Sequence, residues 1–201
     1  MKTGIEISLI LVAYLIGSVP FGYIFTRQIA GINIREHGSG NIGSTNVRRV
    51  AGPKVALLTQ LCDMFKGLLP VAAVMYVQFR NIYIFDAYFI YAVGLASVLG
   101  HNFSLFLKFK GGKGVNTTLG ASLLLAPISV FASVLVYYLV KWRSRYVSLG
   151  SLFLAGTLTL TEFVIHPVSF LFYYLLSCTL LIVLMHISNI KRLLEGTESR
   201  A

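Results

Sequence analysis

The chain has 201 residues, room for one domain or two small ones; 56% of it is hydrophobic and 12% charged, about half the charged share of an ordinary soluble domain. Fourteen Phe and 11 Tyr against seven acids exclude a disordered chain, a coiled coil and a disulfide-rich module, and 201 residues could not hide this much apolar surface from water. The formal charge of +10 then points to basic loops at a membrane surface and to anionic ligands rather than to nucleic acid.

Six apolar runs follow one another, at residues 5–26, 55–79, 82–107, 115–140, 147–163 and 168–187. A helix crosses a bilayer with about 20 mostly apolar residues, so each run is a candidate span, and the first reads as a retained span rather than a cleaved leader. Asp63 and Lys66 interrupt the second run at i,i+3 spacing and are expected to pair with each other. Pro127 interrupts the fourth. Cys62 and Cys178 lie in apolar runs, without a C-x-x-C or a His/Cys cluster, and read as small buried side chains.

Basic residues gather in four segments: Arg27 to Lys54, Lys108 to Lys113, Lys141 to Arg145, and Lys191 to Arg200. The positive-inside rule puts all four in the cytoplasm. Six simple spans cannot do this, because the second and third segments would fall on opposite sides. The conflict goes if 115–140 enters and leaves on one side as a short or re-entrant pair broken near Pro127. The expectation is an all-α polytopic membrane helix bundle of about seven helices. Its N-terminus is out, its C-terminus is in, and 1–201 forms a single domain.

The chemistry lies in the joints. Residues 38–46 read Gly-Ser-Gly-Asn-Ile-Gly-Ser-Thr-Asn, followed by Arg48 and Arg49. Such glycines let successive N–H groups converge on an anion; hydroxyls and amides add donors, and arginine grips phosphate with two bonds at once. Residues 100–103 read Gly-His-Asn-Phe, and Lys108-Phe-Lys-Gly-Gly-Lys113-Gly-Val-Asn-Thr opens a predicted helix, where N–H groups and the helix dipole favour phosphate. The spacing is not that of a Walker A loop, so nucleotide hydrolysis is not expected. His186 and Asn189, three apart, share one helical face at the cytoplasmic end of the last run. Ser148 stands at the mouth of a run as a helix cap or a substrate donor. His166, beside Pro167 at the far side, reads as structural.

These three motifs, with Asp63…Lys66-Gly67 and Tyr146-Val-Ser-Leu149, resemble those of the bacterial PlsY family over nearly the whole chain. Ser44 stands where that family usually has Ala, Ser104 where Pro is common, and Ile187 where a basic residue often follows the His. The resemblance implies an inner-membrane enzyme that moves a fatty acyl group from acyl phosphate to glycerol 3-phosphate, giving lysophosphatidic acid and phosphate. A transporter of phosphorylated metabolites is the alternative, though the basic motifs lie on one side and no repeat is visible. None of the four histidines starts an H-x-x-x-x-D sequence, so the His-Asp base of acyltransferases that use acyl-CoA or acyl carrier protein is not available.

On this reading Gly111, Gly112, Lys113 and Gly114 with Lys108 hold acyl phosphate, supported by His101. Arg49 with Asn41, Thr45 and Asn46 holds glycerol phosphate, while Ser39, His186 and Asn189 form the catalytic group and Ser148 an added contact. Either His186 or the departing phosphate takes the proton. The expected partners are the two substrates, membrane lipids and the enzyme that makes acyl phosphate; no cofactor, metal or nucleic acid is expected.

Overall fold

The computed structural model describes residues 2–200 and is all-helical over them. Its nine α-helices are α1 (Lys2–Ser18), α2 (Phe21–Ala30), α3 (Ser44–Phe79), α4 (Phe89–Asn102), α5 (Val115–Ser122), α6 (Pro127–Ser144), α7 (Val147–Ile165), α8 (Phe170–Met185) and α9 (Ile187–Leu194). Four stretches are long and apolar enough to cross a membrane: Gly4–Ala30, Ser44–Phe79, Phe89–Leu107 and Val147–Ile165. The pair α8–α9, bent by 58°, has the length and composition of a broken span or a re-entrant loop. Large apolar side chains such as Leu11, Leu135 and Val164 stay exposed on the helix faces, as lipid-facing positions require.

The chain divides into two compact units, one up to Ala121 and one from Ser122 onward. In the first, α1 packs on α4 through small residues. A Cβ on Gly17 would overlap the Ser97 carbonyl, and one on Gly100 would overlap the Tyr14 carbonyl, so the two backbones touch. Helices in lipid lack a hydrophobic drive to associate, and such close van der Waals approach replaces it. Gly67 of α3 and Gly120 of α5 do the same against Thr117 and Met64. Between these contacts lie two apolar clusters, one on Val74, Phe89 and Val93, the other on Ile34, Val47 and Leu107.

The long helix α3 is broken at Gly52, whose backbone (φ 86°, ψ 173°) is not helical, just before Pro53. The eight residues from Ser44 to Ala51 therefore form a separate stub ahead of the apolar length. The sequence pattern places 27–54 in a joint; the structure begins the helix eleven residues before Val55, at Ser44, because Gly43, Ser44 and Thr45 favour a helix start there.

In the second unit α6 and α7 form an antiparallel hairpin that turns at Arg145, in the left-handed region (φ 65°). Pro127 opens α6 at its first position, where its missing N–H costs nothing. The pair expected at 115–140 is thus unequal: eight residues in α5 and 18 in α6. Buried Glu162 accepts from Ser129 Oγ at 2.8 Å and pairs with His166 Nδ1 at 2.8 Å, which gives His166 its structural place. The helix expected to run through His186 instead breaks there (φ −103°, ψ 6°), so His186 sits at the bend and caps α9, with Asn189 in the first turn beyond it.

Candidate functional site

The first glycine-rich loop is shaped from within. Asn46 is buried, and its amide donates to the His37 and Asn41 carbonyls at 3.0 and 2.9 Å while its Oδ1 accepts from the Ser39 N–H at 3.0 Å. Asn41 Oδ1 accepts from the Gly43 N–H at 2.8 Å, closing an Asx turn that delivers the chain to α3. Of the residues expected to hold glycerol phosphate, Asn46 therefore spends its amide on the loop itself. Ser39, Thr45 and Arg49 are exposed, and Thr45 and Arg49, four apart, lie on one side of the α3 stub.

The second loop is anchored to the end of α4. The Gly112 N–H donates to the His101 carbonyl at 2.9 Å and the Gly111 N–H to the Asn102 carbonyl at 3.1 Å. These amides set the loop's shape; the donors an anion can reach lie downstream, in the first turn of α5, whose N–H groups have no carbonyl one turn back. The His101 ring is buried against Gly112, where a Cβ would overlap its Nε2. Gly114 takes φ 79° and sits so close to Asn102 that a side chain there would strike its Oδ1. Lys108, also left-handed (φ 52°), is exposed, and Lys113 is half-buried.

The two loops, far apart in sequence, meet. The Asn116 amide on α5 donates to the Ser44 hydroxyl on α3 at 3.3 Å. Two helix N-termini thus open side by side, each with positive dipole character and glycine in front of it, and with Arg49 and Lys113 nearby in the chain. This arrangement suits phosphate.

In the second unit, the His186 imidazole is buried with Nδ1 2.8 Å from the Ile182 carbonyl. A carbonyl only accepts, so Nδ1 carries the proton and Nε2 is the acceptor nitrogen of the neutral ring. The tail turns back after α9, with the Thr197 and Glu198 N–H groups both on the Arg192 carbonyl. That turn brings Glu198 to Asn189 Nδ2 at 2.6 Å and to Arg192 Nε at 2.7 Å. Ser148 is buried and faces this carboxylate beyond normal hydrogen-bond geometry. Burial pushes the Glu198 carboxyl up, but Ser148, Asn189 and the Arg192 charge together outweigh it and hold the group below the usual carboxylate value.

Glu198 is a partner of Asn189 and Arg192 that motif reading left without a role. Only the reversed tail reveals it; its sequence signal is the Gly196-Thr197 turn beside it. Because its folded pKa is depressed, its contribution is complete above the unfolded value and is lost as pH falls through the folded one. Glu198→Gln is expected to cost about 1 kcal/mol at pH 7, since Arg192 stays partly wet, or about 2–4 °C in midpoint. The gap to the wild type should narrow as pH falls below the usual carboxylate value. Thermal unfolding in detergent across pH checks this, and a gap that is unchanged at low pH refutes it.

The family model described as glycerol-3-phosphate acyltransferase matches residues 7–196. A glycerol-3-phosphate acyltransferase of Clostridium acetobutylicum is 39% identical over 196 residues, covering 96% of this chain and 98% of that one. One from Myxococcus xanthus is 44% identical, covering 96% and 98%. The crystal structure of PlsY, an integral membrane glycerol 3-phosphate acyltransferase, in its glycerol 3-phosphate form superposes with a TM-score of 0.89 at 37% identity, covering 98% of this chain and 95% of that one. Its lysophosphatidic acid form gives 0.86 at 36% identity, covering 97% and 94%. With a family model over residues 7–196, and with relatives and solved structures that cover almost its full length, the chain belongs to the PlsY family of integral membrane glycerol-3-phosphate acyltransferases.

Proposed function

We propose that this protein transfers a fatty acyl group from acyl phosphate to glycerol 3-phosphate, the first acylation of phospholipid synthesis. The reading makes the whole chain one acyltransferase domain of the bacterial inner membrane, N-terminus out and C-terminus in, working at the cytoplasmic face where its basic segments gather. The observation that carries it is the meeting of the two glycine-rich loops at the Asn116–Ser44 contact, which offers two adjoining helix N-termini to two phosphate-bearing substrates. The related crystal structures in glycerol 3-phosphate and lysophosphatidic acid forms support the acceptor and the product.

In the reaction, the acceptor hydroxyl oxygen attacks the acyl carbonyl carbon. An ester C–O bond forms, the mixed-anhydride C–O bond breaks, and the hydroxyl proton leaves with the departing phosphate. Acyl phosphate carries a good leaving group that can take this proton, so positioning and charge stabilisation suffice. We assign Arg49, Thr45, Asn41 and Ser39 to glycerol phosphate, with Asn46 shaping their loop. Lys113, Gly114 and the first turn of α5 hold the donor phosphate, with Lys108 adding charge and Gly111 and Gly112 fixing the bend. We assign His186, its Nε2 set as an acceptor, and Asn189 to the catalytic group and Ser148 to an added contact, the last two meeting at Glu198. The donor is made elsewhere, so the enzyme that produces acyl phosphate is the expected functional partner.

The test is donor choice. Purified protein with glycerol 3-phosphate is expected to release lysophosphatidic acid and inorganic phosphate one for one from acyl phosphate, and to leave acyl-CoA and acyl carrier protein untouched. Turnover with acyl-CoA and none with acyl phosphate overturns the reading.

A further inference from the structure

Three ionisable side chains lie buried together in the first unit, behind the second loop. Lys66 Nζ is 3.0 Å from Asp63 Oδ1 and donates to the Val19 carbonyl at 3.1 Å. Asp63 Oδ1 also lies 3.7 Å from His101 Nδ1, too long for a hydrogen bond but close enough for the charge to act on the ring. Asp63 and Lys66 are 3% and 2% exposed, so the pair is withdrawn from bulk solvent at both ends. Among the described residues His101 Nδ1 has no partner at hydrogen-bond distance. The other edge of this ring, at Nε2, fills the space a Cβ would need on Gly112.

An ion pair inside a membrane helix is expensive, and a well-packed apolar pair of the same volume is often as stable or more so. Retaining one calls for a job that apolar side chains cannot do. Here the carboxylate is the charged group facing a ring nitrogen, and the ring is the wall against which the loop is built. A carboxylate facing Nδ1 favours the tautomer with its proton on Nδ1 and fixes the rotation of the ring. The ring in turn limits where Gly112 can sit, while the 2.9 Å bond from Gly112 N–H to the His101 carbonyl holds it from the other side. Lys66, clamped on the Val19 carbonyl, holds the carboxylate in place.

We propose that Asp63 is a positioning residue for acyl transfer, acting through His101 to set the shape of the Gly111–Gly114 loop, and hence the fit of the acyl-phosphate donor rather than that of glycerol 3-phosphate. This rests on the assignment of the donor to that loop. Asp63 touches neither substrate; its effect travels through the ring.

The experiment uses two double variants that leave no orphan charge. Asp63→Leu with Lys66→Met removes both the charge and the acceptor oxygen. Asp63→Asn with Lys66→Met removes the charge but keeps an oxygen facing Nδ1. The first is expected to raise the apparent KM for acyl phosphate about tenfold, leaving the KM for glycerol 3-phosphate within about twofold. The second is expected to recover most of that loss. In parallel, nitrogen NMR of labelled imidazoles, with the His101 signal identified by its loss in His101→Asn, should show the proton on Nδ1 in the wild type and a mixture in the Leu/Met variant. A wild-type donor KM in the Leu/Met variant, an equal rise in both KM values, or a proton on Nε2 in the wild type each overturns the inference. If the Leu/Met variant does not fold, the wild-type tautomer decides alone. A wild type that never turns over acyl phosphate overturns the functional reading and the donor assignment with it, and the donor-choice assay identifies that outcome separately.

Discussion

Replacing Arg49 by alanine is expected to raise the apparent KM for glycerol 3-phosphate about ten- to more than a hundredfold, the equivalent of the roughly 1.5–3 kcal/mol that a charge-assisted hydrogen bond supplies. The argument starts from its place. Arg49 is exposed on the short stub of α3, one turn after Thr45 and five residues past the start of the helix. The stub's N-terminal N–H groups and the guanidinium therefore present positive charge along one small face. Arg49→Lys keeps the charge but loses the planar fork, so it should recover only part of the affinity. The acyl-phosphate KM should change little, because the donor is assigned to the other loop. Steady-state kinetics with each substrate varied in turn provides the check. An Arg49→Ala enzyme with native glycerol 3-phosphate kinetics would remove this residue from the acceptor site.

Gly112→Ala is expected to reduce activity by more than about a hundredfold, in line with the cost of misplacing a bound reactant by about 1 Å. The cause is not the approach of phosphate to a bare backbone but the His101 ring, which a Cβ would overlap. Neither side can yield easily. The Gly112 N–H is bonded to the His101 carbonyl, and the ring is buried. The loop would have to leave the end of α4, taking Gly114 and the first turn of α5 with it. Gly156→Ala is the matched control, since a Cβ there meets nothing within 4 Å, and its activity should stay within about twofold of wild type. Equal activity in the two variants would remove the glycine cradle from this account.

Much of this was legible from sequence because it depends on local rules. Apolar runs mark the long helices, Pro127 marks a break in the run 115–140, and the i,i+3 spacing of Asp63 and Lys66 predicts the 3.0 Å pair between them. The density of small polar residues at 38–46 and of glycine and lysine at 108–114 marks the loops that the fold brings together. What stayed hidden depends on chain reversals and on which of several donors is already spent. Sequence cannot tell that Asn46 satisfies its own loop or that Gly111 and Gly112 give their N–H groups to α4 carbonyls, because Asn and Gly serve equally well as donors to a ligand. Glu198 escaped for a similar reason: its contact with Asn189 exists only because the tail folds back over nine residues. The bend at His186 replaced a continuous helix without any Gly or Pro to announce it.

The break at Gly52 separates two mechanical duties. The part of α3 beyond it runs from Pro53 to Phe79, about 40 Å at 1.5 Å per residue, against a hydrocarbon core of about 30 Å. A segment longer than its bilayer tilts, and the tilt changes as lipid composition thickens or thins the membrane. Were α3 one rigid rod, each such change would swing Arg49 through an arc about the helix end. With a non-helical residue between them, the rod can lean while the stub keeps the register fixed by Asn46 and by the Ser44–Asn116 bond. The break thereby uncouples the position of the stub from the lean of the rod.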